Sequence, residues 1–99
     1  MTFELEFLPK ALKEWRALDS PVRIALKKVL KRRLEEPCVP SAKLSGMNDC
    51  YKIKHRASGY RLVYQVDEGT IVVLVLAVGK REKNRVYQVA AKRGLKEGD

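Results

Sequence analysis

From Thr2 to Phe7 the chain alternates, with Phe3, Leu5 and Phe7 apolar and Thr2, Glu4 and Glu6 polar, the period-two pattern of a half-buried strand. Pro9 closes that pattern and suits the start of a helix. Ala11, Leu12, Trp15 and Leu18 then recur at helical spacing, which predicts a short amphipathic helix from Lys10 to near Asp19 with Trp15 in the core. Ser20 and Pro21 supply an N-cap and an N1 proline for a second helix. Its buried stripe is Val22, Ala25, Leu26, Val29, Leu30 and Leu34, while Lys27, Lys28, Lys31 and Arg32 point away from it. Pro37 marks its end and Pro40 follows in an extended linker. So short a connection between the two helices predicts an antiparallel hairpin packed on a sheet.

Residues 50–56 and 60–66 each alternate again, and the run from Thr70 to Gly79 is continuously aliphatic, as a central strand requires. Asp67 to Thr70 reads as the turn between the last two strands, and Glu82 to Arg93 as a helix with Val86, Val89 and Ala90 inward and Gly94 at its C-cap. The resulting order is β-α-α-β-β-β-α. This is an α+β fold in which an N-terminal antiparallel helical hairpin packs on a mostly antiparallel four-stranded sheet, followed by a C-terminal helix.

With 99 residues the chain has room for one domain, 1–99, and one core. No apolar run is long enough to cross a membrane and the N-terminus does not read as a signal peptide, so the expected location is the cytoplasm, with no membrane partner. Cys38 and Cys50 lack metal or redox spacing and read as small packing residues, and no cofactor is expected. Only the tail from Gly94 looks loose.

Charge changes the picture. The formal net charge is +9, and residues 50–93 alone hold ten bases against three acids, or +7. Such a block is the footprint of a polyanionic partner, most often nucleic acid, set against the plainer reading of a solvated basic face. Its centre is the hairpin YKIKHRASGYRLVYQV, where Lys52, Lys54 and Arg56 share one strand face and Tyr51, Ile53 and His55 the other. An even-numbered loop puts Lys54 opposite Arg61 and Lys52 opposite Val63, so that Lys52, Lys54 and Arg61 meet on one face. An odd loop sends Arg61 to the other face. Cations two residues apart on a strand stand about 6.7 Å apart, where repulsion at an effective dielectric near 20 is roughly 2–3 kcal/mol. Without nearby carboxylates, that cost points to an external anion such as a phosphate. Lys80 and Arg81 follow at the end of the central strand, and Tyr87 lies one helical step from the Val86 and Val89 stripe, placed at the rim to stack on a base or else packed in the helix. His55 has the wrong parity to join the lysines and reads as structural. Asp67, Glu68 and Glu82 fall in turns or at a helix start, so the chemistry expected is metal-free and uses Lys, Arg and Tyr.

These residues carry a resemblance. The stretches ALKEWRALDS, AKLSGMNDCYKIKHRASGYRLVYQV and VGKREKNRVY make the chain similar to the RelE toxins of bacterial toxin-antitoxin pairs over nearly its whole length. The resemblance implies a ribosome-dependent endonuclease that cleaves mRNA at the decoding-site codon, the ribose 2′-OH attacking the adjacent phosphodiester to leave a 2′,3′-cyclic phosphate and a 5′-OH. It also implies roles: Lys54 as general base, Lys52 and Arg61 as stabilisers of the transition state, Arg81 as proton donor to the leaving oxygen, and Tyr87 stacked on a codon base. Lys52, Arg56, Arg61, Lys80, Arg81, Lys83 and Tyr87 are the residues expected to bind RNA. Where many relatives have Arg, this chain has Ser45.

The implied partners are a RelB-like antitoxin, mRNA and the ribosomal RNA of the decoding site, with operator DNA bound only as the toxin-antitoxin complex. Two other functions compete with this one. A ParE-like toxin would inhibit gyrase and lack the basic catalytic set, and a non-catalytic nucleic-acid-binding module would show salt-dependent binding without scission.

Overall fold

Four strands form one sheet in the order β1-β4-β3-β2, from β1 (Glu4–Phe7), β2 (Cys50–His55), β3 (Tyr60–Asp67) and β4 (Val72–Lys80) in a computed structural model that describes residues 2–94, the Lys83 side chain excepted. β1 runs parallel to β4, and the other two pairings are antiparallel. Helices α1 (Pro9–Arg16) and α2 (Ser20–Glu35) cover one face, and α3 (Arg85–Arg93) covers part of the other. Single 3-10 turns at Pro40–Ala42 and Glu82–Asn84 complete the chain. The α+β order expected from the apolar pattern is the one observed.

Alternation along the strands divides the core in two. Ile53, Leu62, Tyr64, Val73, Val75 and Val78 pack under Leu26 and Leu30 of α2 and Ala11 of α1. Cys50, Val63, Leu76 and Ala77 face Val86 and Ala90 of α3. Because α3 is short, it leaves the hairpin end of its own face uncovered, and that is where the basic residues lie.

One irregularity sets which residues reach that end. Val63 pairs with Ala77 but Tyr64 pairs with Val75, so Leu76 is an extra residue in β4. This bulge sends both Leu76 and Ala77 to the α3 side and reverses the parity of everything after them. Without it, Gly79 and Arg81 would face the α1 and α2 layer.

Several local expectations shift. α2 begins one residue early, with Asp19 as N-cap, because the amide of Arg23 already bonds the carbonyl of Asp19 at 3.0 Å. Residues 82–93 are not one helix: Asn84 has φ +59, which separates the 3-10 turn from α3. Gly94 ends α3 at φ −58, outside the left-handed region, so any residue satisfies that cap. Leu5 is exposed on the edge strand and Trp15 is half-buried against Phe7, their ring centroids 5.6 Å apart. Cys38 is exposed, unlike the buried Cys50, whose thiol is pushed up to about 11 by burial and then by the charge of Asp49. The loose tail expected beyond Gly94 lies outside the described residues.

Candidate active site

The hairpin loop is Arg56-Ala57-Ser58-Gly59, an even number, so Lys54 lies opposite Arg61 and Lys52 opposite Val63. The tip is built by its own side chains. His55 Nδ1 and Ser58 Oγ share a hydrogen bond of 2.6 Å, and Ser58 Oγ accepts the Tyr60 amide at 3.2 Å, while Gly59 takes φ +78, a conformation suited to glycine. His55 is therefore a turn residue. The Arg81 amide donates to the Gly59 carbonyl at 2.9 Å, extending the β3–β4 ladder one rung past β4 and tying Arg81 to the hairpin tip.

On the face left bare by α3 stand Lys52, Lys54, Arg61 and Arg81. Lys54 is exposed and its ammonium is held below the ordinary lysine value, first by Lys52, then by desolvation, then by Arg56, Arg61 and Arg81. That list is itself a map, since each charge acts on Lys54 through space. A lysine whose charged form is disfavoured is more readily neutral, as a general base must be.

Arg61 has the opposite environment. It is 8% exposed, Nη1 donates to the Tyr60 carbonyl at 2.9 Å, and its buried Nε has no partner among the described residues. Holding a buried guanidinium with a donor unpaired is costly. Tyr87, on the first turns of α3, is half-buried and packs against the Val63, Leu76 and Ala77 cluster, so its ring borders the cationic face. Val86 of α3 lies over Gly79, where a Cβ would meet it in ordinary contact at 3.7 Å.

Not every expected residue joins this group. Lys80 pairs with Tyr60, and its Nζ is 5.7 Å from that ring's centroid, on the sheet face opposite Arg61 and Arg81. Arg56 is at the exposed tip, near enough to act on Lys54. The Lys83 side chain lies outside the described residues, and Ser45 is exposed. Among the described residues no three His, Cys, Asp or Glu side chains gather as a metal site.

Residues 5–85 match the family described as the ParE toxin of the type II toxin-antitoxin system parDE. The chain belongs to this toxin family. Within it, the chain is 57% identical over 95 residues to the mRNA interferase toxin RelE of Escherichia coli, covering 96% of this chain and all of that protein. A double mutant of Escherichia coli RelE in the free state superposes with a TM-score of 0.89 at 56% identity, over 96% of this chain and 100% of that one. RelE from the intact Escherichia coli RelBE toxin-antitoxin complex does so with a TM-score of 0.79 at 57% identity, over 81% of this chain and 98% of that one.

Two supports of the toxin's site escaped the sequence reading. Arg33 donates from Nη1 to the Lys52 carbonyl at 3.2 Å and to the Tyr64 hydroxyl at 2.9 Å, and that hydroxyl donates to the Pro37 carbonyl at 2.7 Å. It thus pins the strand that carries Lys52 and Lys54. The signal was its spacing, four residues after Val29 and seven after Leu26, a charge inside the apolar stripe. The second is Glu14. Its carboxylate receives Arg93 in two bonds of 2.9 and 3.0 Å and the Val78 amide at 3.0 Å, joining α1, β4 and α3.

Proposed function

We propose that this chain is a RelE-type mRNA interferase, the toxin of a type II toxin-antitoxin pair, which works in the cytoplasm by cutting mRNA at the codon held in the ribosomal decoding site. The observation that carries the reading is the meeting of Lys52, Lys54, Arg61 and Arg81 on one open sheet face beside Tyr87. The 57% identity to Escherichia coli RelE over 96% of the chain supports it.

In this mechanism neutral Lys54 takes the proton of the ribose 2′-OH as the 2′ oxygen attacks the neighbouring phosphorus. The bond to the 5′ oxygen breaks, leaving a 2′,3′-cyclic phosphate, and Arg81 gives a proton to the leaving oxygen to form the 5′-OH and regains one from water. Lys52 and Arg61 take up the charge that builds on the phosphoryl oxygens. Tyr87 stacks on a base of the codon. The chain's own residues supply charge and proton transfer, and the ribosome supplies the in-line geometry of the message. A RelB-like antitoxin is the partner that silences the toxin, as the RelBE complex suggests.

Primer-extension mapping of a defined mRNA, with and without programmed ribosomes, tests this. Cleavage inside the decoding-site codon only with ribosomes, and lost in Arg81→Ala, is the expected result. An intact message under all conditions, with gyrase inhibited, would replace it with the ParE-type activity.

A further inference from the structure

A lysine that can act as a base can also act as a nucleophile, and the surroundings of Lys54 select what it would attack. Lys54 is exposed on the open face, with Arg61 opposite it in the β2–β3 register, Lys52 and Arg56 two residues to either side, and Arg81 near enough to act on it. No carboxylate pairs with it, since among the described residues the ion pair within 4.0 Å is Glu14–Arg93. An amine crowded by other cations, with no anion to hold its proton, is activated for attack on a carbonyl carbon. The cations that crowd it are also the groups that bind a phosphate. A molecule that joins a phosphate directly to an electrophilic carbon therefore finds an anchor and a nucleophile side by side.

We propose that Lys54 is a modification site for acyl phosphates, the mixed anhydrides of a carboxylic acid with phosphoric acid, and that its acylation switches the toxin off. Lys52, Arg61 and Arg81 hold the phosphate while the lone pair of Lys54 Nζ attacks the carbonyl carbon. The C–N bond forms and the bond from that carbon to the bridging oxygen breaks. Its electron pair leaves with inorganic phosphate, which takes up the proton the amine gives up. The product is a neutral amide at an exposed position, so the core has no need to move, and the crowded face loses one charge. An acyl phosphate suits the site better than a nucleotide thioester because a single oxygen separates its phosphorus from its reactive carbon, as the immediate contact of these cations with one amine requires. The loss of cleavage rests on the mechanism proposed above, because an amide nitrogen cannot take the 2′-OH proton. The labelling rests on the geometry alone.

Acetyl phosphate is the probe. The full chain is incubated with it and digested, and acetylation of each lysine is followed over time by mass spectrometry. Lys54 should be labelled at least roughly tenfold faster than Lys27, Lys28 and Lys31 on α2 and than Lys80 on the opposite sheet face, all of them exposed. Acetic anhydride, which carries no phosphate, should show a much smaller preference. Inorganic phosphate should slow the labelling of Lys54 by acetyl phosphate and leave that of the α2 lysines alone, and Arg61→Met should reduce the preference. Codon cleavage should fall in proportion to the fraction of Lys54 acetylated. Equal labelling of all exposed lysines, or labelling of Lys52 in place of Lys54, would overturn the proposal. So would an undiminished preference with acetic anhydride, which would leave a reactive lysine without a phosphate anchor, or faster labelling by acetyl coenzyme A, which would make the site one for thioesters. Full cleavage by a chain acetylated at Lys54 would remove both the switch and the role of Lys54 as base. An unmodified chain that takes the label at Lys54 yet cuts no message would sink the nuclease reading and leave the modification site standing.

Discussion

The amide of Arg81 bonds the carbonyl of Gly59 at 2.9 Å, so the arginine expected beside the leaving oxygen is registered against the hairpin tip and not left on a free loop. Gly59 holds φ +78 with nothing within 4 Å of the place where a Cβ would stand. Gly59→Ala therefore adds backbone strain without a clash. It should cost about 1–2 kcal/mol of stability, measured by urea unfolding, and should lower kcat more than KM as Arg81 loses its registration. Unchanged kcat in a destabilised protein would detach the tip from the chemistry.

Arg61 predicts a trade of stability for activity. Its guanidinium is buried with Nε unpaired, so Arg61→Met removes an unsatisfied donor while keeping an apolar stem. The variant should be as stable as the parent, or more so by about 1 kcal/mol, and should cut at least ~100-fold more slowly. Parallel chemical denaturation and single-turnover cleavage measure the two effects, and a large loss of stability would mean that Arg61 serves the fold.

The pH dependence follows from Lys54. Because its charged form is disfavoured by Lys52 before any other cause, the rate should rise with pH as Lys54 loses its proton and level off below the ordinary lysine range. Removing Lys52's charge in Lys52→Gln lets the Lys54 pKa rise, so the rising limb should move to higher pH, in addition to the rate lost with Lys52 itself. The stability effect has a fixed sign as well: the unfolded chain holds the Lys54 proton more tightly, so stability gains as pH climbs from the depressed folded value towards the ordinary one. A pH–rate profile that keeps its limb in Lys52→Gln would argue against Lys54 as the base.

Glu14 joins three elements through Arg93 and the Val78 amide. Glu14→Ala leaves the Arg93 side chain, only 19% exposed, with the Leu76 carbonyl as its remaining acceptor and the Val78 amide unpaired, and should cost about 1–3 kcal/mol. Since α3 also carries Tyr87, codon cleavage should weaken even at temperatures where the variant is fully folded. Urea unfolding and cleavage at 20 °C or so, well below the unfolding transition of a typical domain, separate the two effects.

Much of this was legible along the chain. Periods of two and 3.6 named β1, β2, β3 and the helices, because an element that buries one face must repeat its apolar residues at its own period, and an unbroken aliphatic run named β4, buried on both faces. The hairpin arithmetic also placed Lys52, Lys54 and Arg61 together once the loop was even. What the pattern could not carry were contacts between residues distant in sequence. The extra residue at Leu76 is silent in an unbroken aliphatic run, yet it decides the side on which Arg81 emerges and leaves Lys80 on the other. Arg33 and Glu14 look like ordinary helix charges until β2 and α3 are folded against them. Local periodicity determined which faces are buried and gathered the positive charge. Tertiary packing decided which of those charges share a surface, because register and helix docking depend on pairings that no single segment encodes.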